Sequence, residues 1–192
     1  MARISPISRW NSFERRMKKN FNQKQKKLYM IFIFLAKFAL LSLPLHFLLW
    51  LNFDARPVQE FVAHAVNQML SLSGIASVQN GATLAVQTVS GPLLVEIIKD
   101  CVGWKSMLAL FGLIFATPKI AMRKRIIGLL VGAPAIFLLN LVRIWSTIYI
   151  TAIKGYSFWE ITHTFLWQEG LMLAVLGVWW VWMKRYAVAH FN

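Results

Sequence analysis

One cysteine, Cys101, occurs in the 192 residues, so no intrachain disulfide can staple this fold. Only 4 histidines are present, and no metal-ligand spacing connects them. Neither a metal centre nor a cofactor is therefore expected. Internal repeats and low-complexity segments are absent. No small-residue cleavage site follows the first apolar run, so that run reads as an uncleaved anchor rather than a removed signal peptide. Acidic residues are scarce, 7 against 21 Lys and Arg, for a net charge of +14. Such a surplus raises the question of nucleic acid. The basic residues sit between and beside apolar runs, however, and orientation in a membrane accounts for them, so nucleic-acid binding is not expected.

Apolar residues are abundant. They make up 58% of the chain, with 9 Trp and 14 Phe, and the mean hydropathy is +0.55. Four runs of roughly 17–25 apolar residues are too many for one small soluble core, which points to a polytopic membrane protein. The expected fold is all-α: a four-helix transmembrane bundle with a small extracytoplasmic amphipathic helix and a β-hairpin.

The expected spans are 28–53, 101–117, 126–152 and 163–183. Residues 1–27 form a basic tail, with Glu14 as its only acid, suited to lie on anionic lipid. Residues 118–125 carry Lys119, Arg123, Lys124 and Arg125, and residues 184–192 open on Lys184-Arg185. The connections 54–100 and 153–162 carry no surplus of basic residues: Arg56 and Lys99 stand against Asp54, Glu60, Glu96 and Asp100 in the first, and Lys154 against Glu160 in the second. Counting positive charge places both termini in the cytoplasm and those two connections outside, in the cell membrane. Within 54–100, Pro57 to Leu72 reads as an amphipathic helix with Phe61, Val62, Ala65, Met69 and Leu72 on its apolar stripe. Asn80-Gly81, between the β-prone runs 75–79 and 82–89, predicts a hairpin, and Gly91-Pro92 then reads as a break.

This topology brings three chemically capable residues to one depth. Cys101 heads the second span. Arg143 lies about 17 residues up the third, roughly 25 Å at 1.5 Å per residue, and so in the outer leaflet. His163 begins the fourth. An arginine inside a span costs at least ~2.5 kcal/mol on insertion scales and faces a bundle interior or a cavity. Asn140, Arg143, Thr147 and Thr151 share one face, which must meet protein, water or substrate. Taken singly, each candidate has a plain structural role: Cys101 as a small packed hydrophobe, His163 as a hydrogen-bonded interfacial residue, and Arg143 as a partner of Asp100, Glu160 or Glu169. Together they fit nucleophilic catalysis. A thiol at a helix start, near a guanidinium or imidazole, is expected to have a lowered pKa, and histidine can shuttle its proton.

The chain resembles the exosortase/archaeosortase family of membrane-embedded cysteine transpeptidases. The resemblance covers about residues 75–180. A β-prone segment leads through Leu94-Val95-Glu96 to Cys101-Val102-Gly103; Asn140-Leu141-Val142-Arg143 follows in the next span, and His163 starts the one after. Where the family usually has Ser, this chain has Val102, and it shows fewer spans than many members, as a reduced core would. The resemblance implies that Cys101 is a nucleophile, His163 the general base and acid, and Arg143 the stabiliser of thiolate or oxyanion, with Asn140 and Asp100 in support. It also implies exported protein substrates ending in a motif, a transmembrane helix and a basic cluster, and transfer to membrane lipid or another acceptor. Two other readings are a non-catalytic assembly or channel-like protein with a structural arginine, and a membrane acyltransferase using His163.

Overall fold

The computed structural model describes residues 22–50, 55–118, 120–159 and 170–186. Its helices are α1 (Gln23–Trp50), α2 (Arg56–Leu72), α3 (Trp104–Ala116), α4 (Met122–Lys154) and α5 (Leu171–Tyr186). Strands β1 (Ser77–Asn80), β2 (Thr83–Thr88) and β3 (Gly91–Glu96) follow α2, and a 3₁₀ turn (Lys99–Val102) leads from the sheet into α3. Among the described residues, α4 is the helix both long and apolar enough to cross a membrane, with a mean hydropathy of 2.0 over its most apolar stretch. Only 28% of that stretch is buried, so α4 is not the core helix of a water-soluble domain. Its exposed residues Leu130, Val131, Leu138 and Val142 are suited to lipid. The chain is a mostly helical membrane protein.

At 33 residues, α4 is about 50 Å long, against a hydrocarbon core of about 30 Å. That excess organises the fold, because different elements of the chain pack against its two halves. The lower half enters an apolar core with Leu110, Leu113 and Ile114 of α3 and Leu171, Val175 and Trp182 of α5. α1 packs on α3, with Phe38 against Gly112. The upper half, from Leu141 to Ala152, enters a second core with α2, the sheet and the 3₁₀ turn. Gly128 and Gly132 permit the close approach below: a Cβ would fall 2.1 Å from Trp182 Nε1 at the first and 2.7 Å from Leu110 Cδ2 at the second. Arg125 donates to the carbonyls of Phe115, Thr117 and Ile120 at 2.8–3.1 Å, satisfying groups in the last turn of α3 and just past it.

Three expectations change. The amphipathic helix forms, but its stripe is rotated: Val62, Ala63, Val66 and Leu70 are buried, whereas Phe61 is 59% and Leu72 90% exposed. It packs on the sheet and α4, and this protein partner selects the face. The hairpin is in fact a three-stranded antiparallel sheet, ordered β1-β2-β3. Asn80 pairs with Thr83, so the turn is Gly81-Ala82, one residue later than the Asn-Gly signal places it. Gly91-Pro92 does not break the chain but opens β3. The ladder explains why. Ile97 N–H donates to Ala82 O at 2.9 Å, and alternate residues of an antiparallel strand turn their backbone groups to opposite sides. Pro92, opposite Gln87, therefore sits where an N–H would face away from β2, and its missing donor costs the ladder nothing.

Candidate active site

The helix expected over 101–117 begins only at Trp104, and Cys101 lies ahead of it on the 3₁₀ turn. Gly103, at φ +81°, joins the turn to α3 in the left-handed region that favours glycine. A Cβ there would also press on the Asn140 side chain at 3.1–3.3 Å. Asn140 is fully buried on α4 and donates from Nδ2 to Cys101 O at 2.8 Å. The Cys-x-Gly and Asn-x-x-Arg patterns are thus two halves of one clasp. Glycine lets the amide in, and the amide fixes the backbone that carries the thiol. Asn140 Oδ1 is buried without a hydrogen-bond partner among the described residues.

Arg143 is one turn further along α4 and is 8% exposed. It and Cys101 line the same small cavity, about 60 Å³, walled also by Val95, Glu96, Thr147 and Trp159. Of the polar stripe, Thr147 and Thr151 are satisfied within their own helix, bonding to Arg143 O and Thr147 O at 2.9 Å. Within the stripe, Asn140 reaches the thiol's turn, and Arg143 and Thr147 line its cavity. Asp100 is not drawn in. It is solvent-accessible and pairs with Lys105 at 2.9 Å, beside the cavity rather than in its wall. His163 lies outside the described residues. The stretch from Tyr156 to Trp159 precedes it, and the Trp159 side chain closes the cavity. Sequence reasoning missed Trp159. The aromatic character of its loop was visible, but its reach back to Cys101 was not.

Val102 is 5% exposed and belongs to the upper core with Val66 and Ile144. Its side chain serves packing, and a hydroxyl at that point would need a buried partner.

The thiol differs from expectation. Burial pushes Cys101 up to about 11, outweighing a backbone hydrogen bond at Ile98 and the Arg143 guanidinium, which pull it down; Asp100 adds a smaller push upward. The short turn supplies too little dipole to offset desolvation. Below its pKa the thiol is protonated, so at pH 8 the thiolate is a small minority. In the resting protein, iodoacetamide is expected to label Cys101 slowly at pH 8, with a rate still climbing beyond pH 9.5. A labelling profile that levels off near pH 8.5 would show an ordinary exposed thiol instead.

The family model described as transmembrane exosortase matches residues 24–183, which takes in every described element from α1 to α5 except their outermost residues. No curated protein and no solved structure matches the chain.

Proposed function

This chain belongs to the transmembrane exosortase family, and from that premise we propose that it is a membrane cysteine transpeptidase that cleaves a C-terminal sorting signal on exported proteins. The observation that carries this reading is the shared cavity of Cys101 and Arg143, with the thiol's backbone held by Asn140. The four spans and the outward-facing site follow from the distribution of basic residues. α4 provides the clearest of these spans.

In the proposed reaction, Cys101 Sγ attacks the scissile carbonyl carbon while a base, assigned to His163, takes the thiol proton. The resulting oxyanion is stabilised by the Arg143 guanidinium. Collapse breaks the C–N bond, His163 returns the proton to the leaving amine, and the exported protein remains as a thioester on Cys101. An acceptor nucleophile, on lipid or another molecule, attacks that carbonyl and releases the thiol. A thiol that is protonated at rest suits this scheme, because its proton leaves only when substrate brings the base into use. The raised pKa also keeps the nucleophile quiet toward other electrophiles.

The substrates proposed are exported proteins ending in a short motif, an apolar helix and a basic cluster. Co-expression with such a reporter is expected to leave a hydroxylamine-labile acyl group on the peptide containing Cys101, detected by mass spectrometry. Tail removal with no acyl group at Cys101, even after rapid quenching, would contradict the covalent scheme.

A further inference from the structure

The strand that feeds the Cys101 turn has one edge without a strand partner among the described residues. β3 pairs with β2 alone among the described residues. The same parity that accommodates Pro92 turns the backbone N–H and C=O groups of Leu94 and Glu96 away from β2. At the far end of this edge the position is filled: Tyr156 Oη donates to Pro92 O at 2.9 Å. At the near end, Leu94 is 74% exposed. The backbone stays extended through Ile98, at φ −75° and ψ 163°, up to the turn bearing Cys101.

Side-chain space follows the same line. Leu93 walls an open groove with Tyr156, Ser157 and Trp159. Val95, two residues on and on the same face of the strand, walls the Cys101 cavity, again with Trp159. Two depressions spaced one strand repeat apart, about 7 Å, therefore lie beside an edge whose outward donors and acceptors meet no strand among the described residues. That is the layout used when an extended peptide adds to a sheet, with the backbone held by the edge and alternate side chains held by pockets.

We infer that the free edge of β3 at Leu94 and Glu96 binds the extended segment of the substrate upstream of its scissile bond as a fourth strand, delivering the carbonyl to Cys101. This rests on the transpeptidase reading and on a tail that enters the membrane after the cleavage point. The direction follows. β3 runs toward Cys101 and the membrane, and a C-terminally anchored substrate runs the same way, so the added strand is parallel to β3. The residue entering the Cys101 cavity is small, because that space is about 60 Å³.

The test uses the full chain in proteoliposomes and synthetic tails of a reporter that the wild type processes. Methylating successive backbone nitrogens upstream of the cleavage point is expected to lower kcat/KM about tenfold or more at every second position and much less between them. Leu94→Pro removes an outward donor at a position of the same parity as Pro92, so the sheet tolerates it. It is expected to process the tail about tenfold more slowly than Leu94→Ala, at an unchanged melting temperature. Uniform effects along the methylated series, with Leu94→Pro equal to Leu94→Ala, would overturn the proposal. If, in that case, Cys101→Ala is inactive, the transpeptidase reading survives without the strand. If Cys101→Ala is active while the alternating pattern is seen, the strand survives and the nucleophile does not. An intact methylated series together with a dimer that Leu94→Pro dissolves would assign the edge to a second copy of the chain and also overturn the proposal.

Discussion

Cys101→Ser is expected to leave tail processing at least about 10³-fold below wild type, and Cys101→Ala to leave none. An alcohol is a far weaker acid than a thiol, and this site already disfavours the anion. The cavity that burial creates around Sγ holds the wild-type thiol up at about 11, and the same desolvation acts on an alkoxide more severely. Alanine keeps the packing volume nearly intact. Cys101 is 7% exposed and sits among Val62, Leu84 and Ile144, so truncation costs the fold little, on the order of 1 kcal/mol. That separation matters because a buried cysteine is ordinarily a packing residue. A purely structural Cys101 predicts the opposite pattern, a lowered melting temperature with processing preserved. Measuring tail release and thermal unfolding on the same membranes decides between them, and normal release in both variants would remove Cys101 from the mechanism.

Replacing Arg143 carries the second largest expected effect. Arg143→Leu is expected to lower kcat by about 10²–10³-fold, the usual cost of removing one oxyanion donor, without loss of folded protein. Exchanging a buried cation for an apolar side chain of similar length is often neutral for stability. Thr147 and Ser146 bond to the Arg143 carbonyl, not to its guanidinium, so the helix backbone does not depend on the side chain. Arg143→Lys is the sharper variant. It keeps the charge but loses the planar fork, and a loss of at least about tenfold is expected if two donors converge on the oxyanion. Activity within about twofold of wild type in Arg143→Lys would mean that a point charge suffices. Arg143 would then act on the thiolate through its field alone, and the reactive labelling of Cys101 would slow in Arg143→Leu.

How legible was this site in the sequence? The membrane character was fully so, because apolar runs and basic clusters are local properties that lipid and membrane orientation read directly. The pairing of Cys101 with Arg143 was legible through depth. Counting residues along spans gives height in a bilayer, and residues at equal height in a small bundle have few places to go. Their clasp was legible only in part. Gly103 was visible as a residue of the Cys-x-Gly pattern. That its missing Cβ makes room for Asn140 could not be read, because the contact joins positions 37 residues apart in sequence and depends on how α4 is rotated.

The errors have a common physical source. The stripe assigned to α2 followed helical periodicity alone. That signal gives the existence of an apolar face more securely than its centre: Val62 is buried as expected, but packing against the sheet chose Val66 and Leu70 over Phe61 and Leu72. Gly91-Pro92 was read as a break because proline lacks a donor. Only the register shows that no donor was needed there. The thiol was expected to be acidified by a helix start and a cation. The observed turn is short and the burial deep, and desolvation outweighs both.

The sequence by itself determined that this protein lives in a membrane and that one long apolar helix carries a polar stripe with Arg143 on it, and it raised the expectation that Cys101 stands level with that arginine. These follow from composition, period and charge, which are written locally along the chain. The tertiary structure decided that Asn140 grips the thiol's own backbone, that the thiol is buried, and that β3 has an edge leading to it with no strand partner among the described residues. Those depend on helix rotation, strand register and exclusion of water. Such properties arise only when distant segments meet.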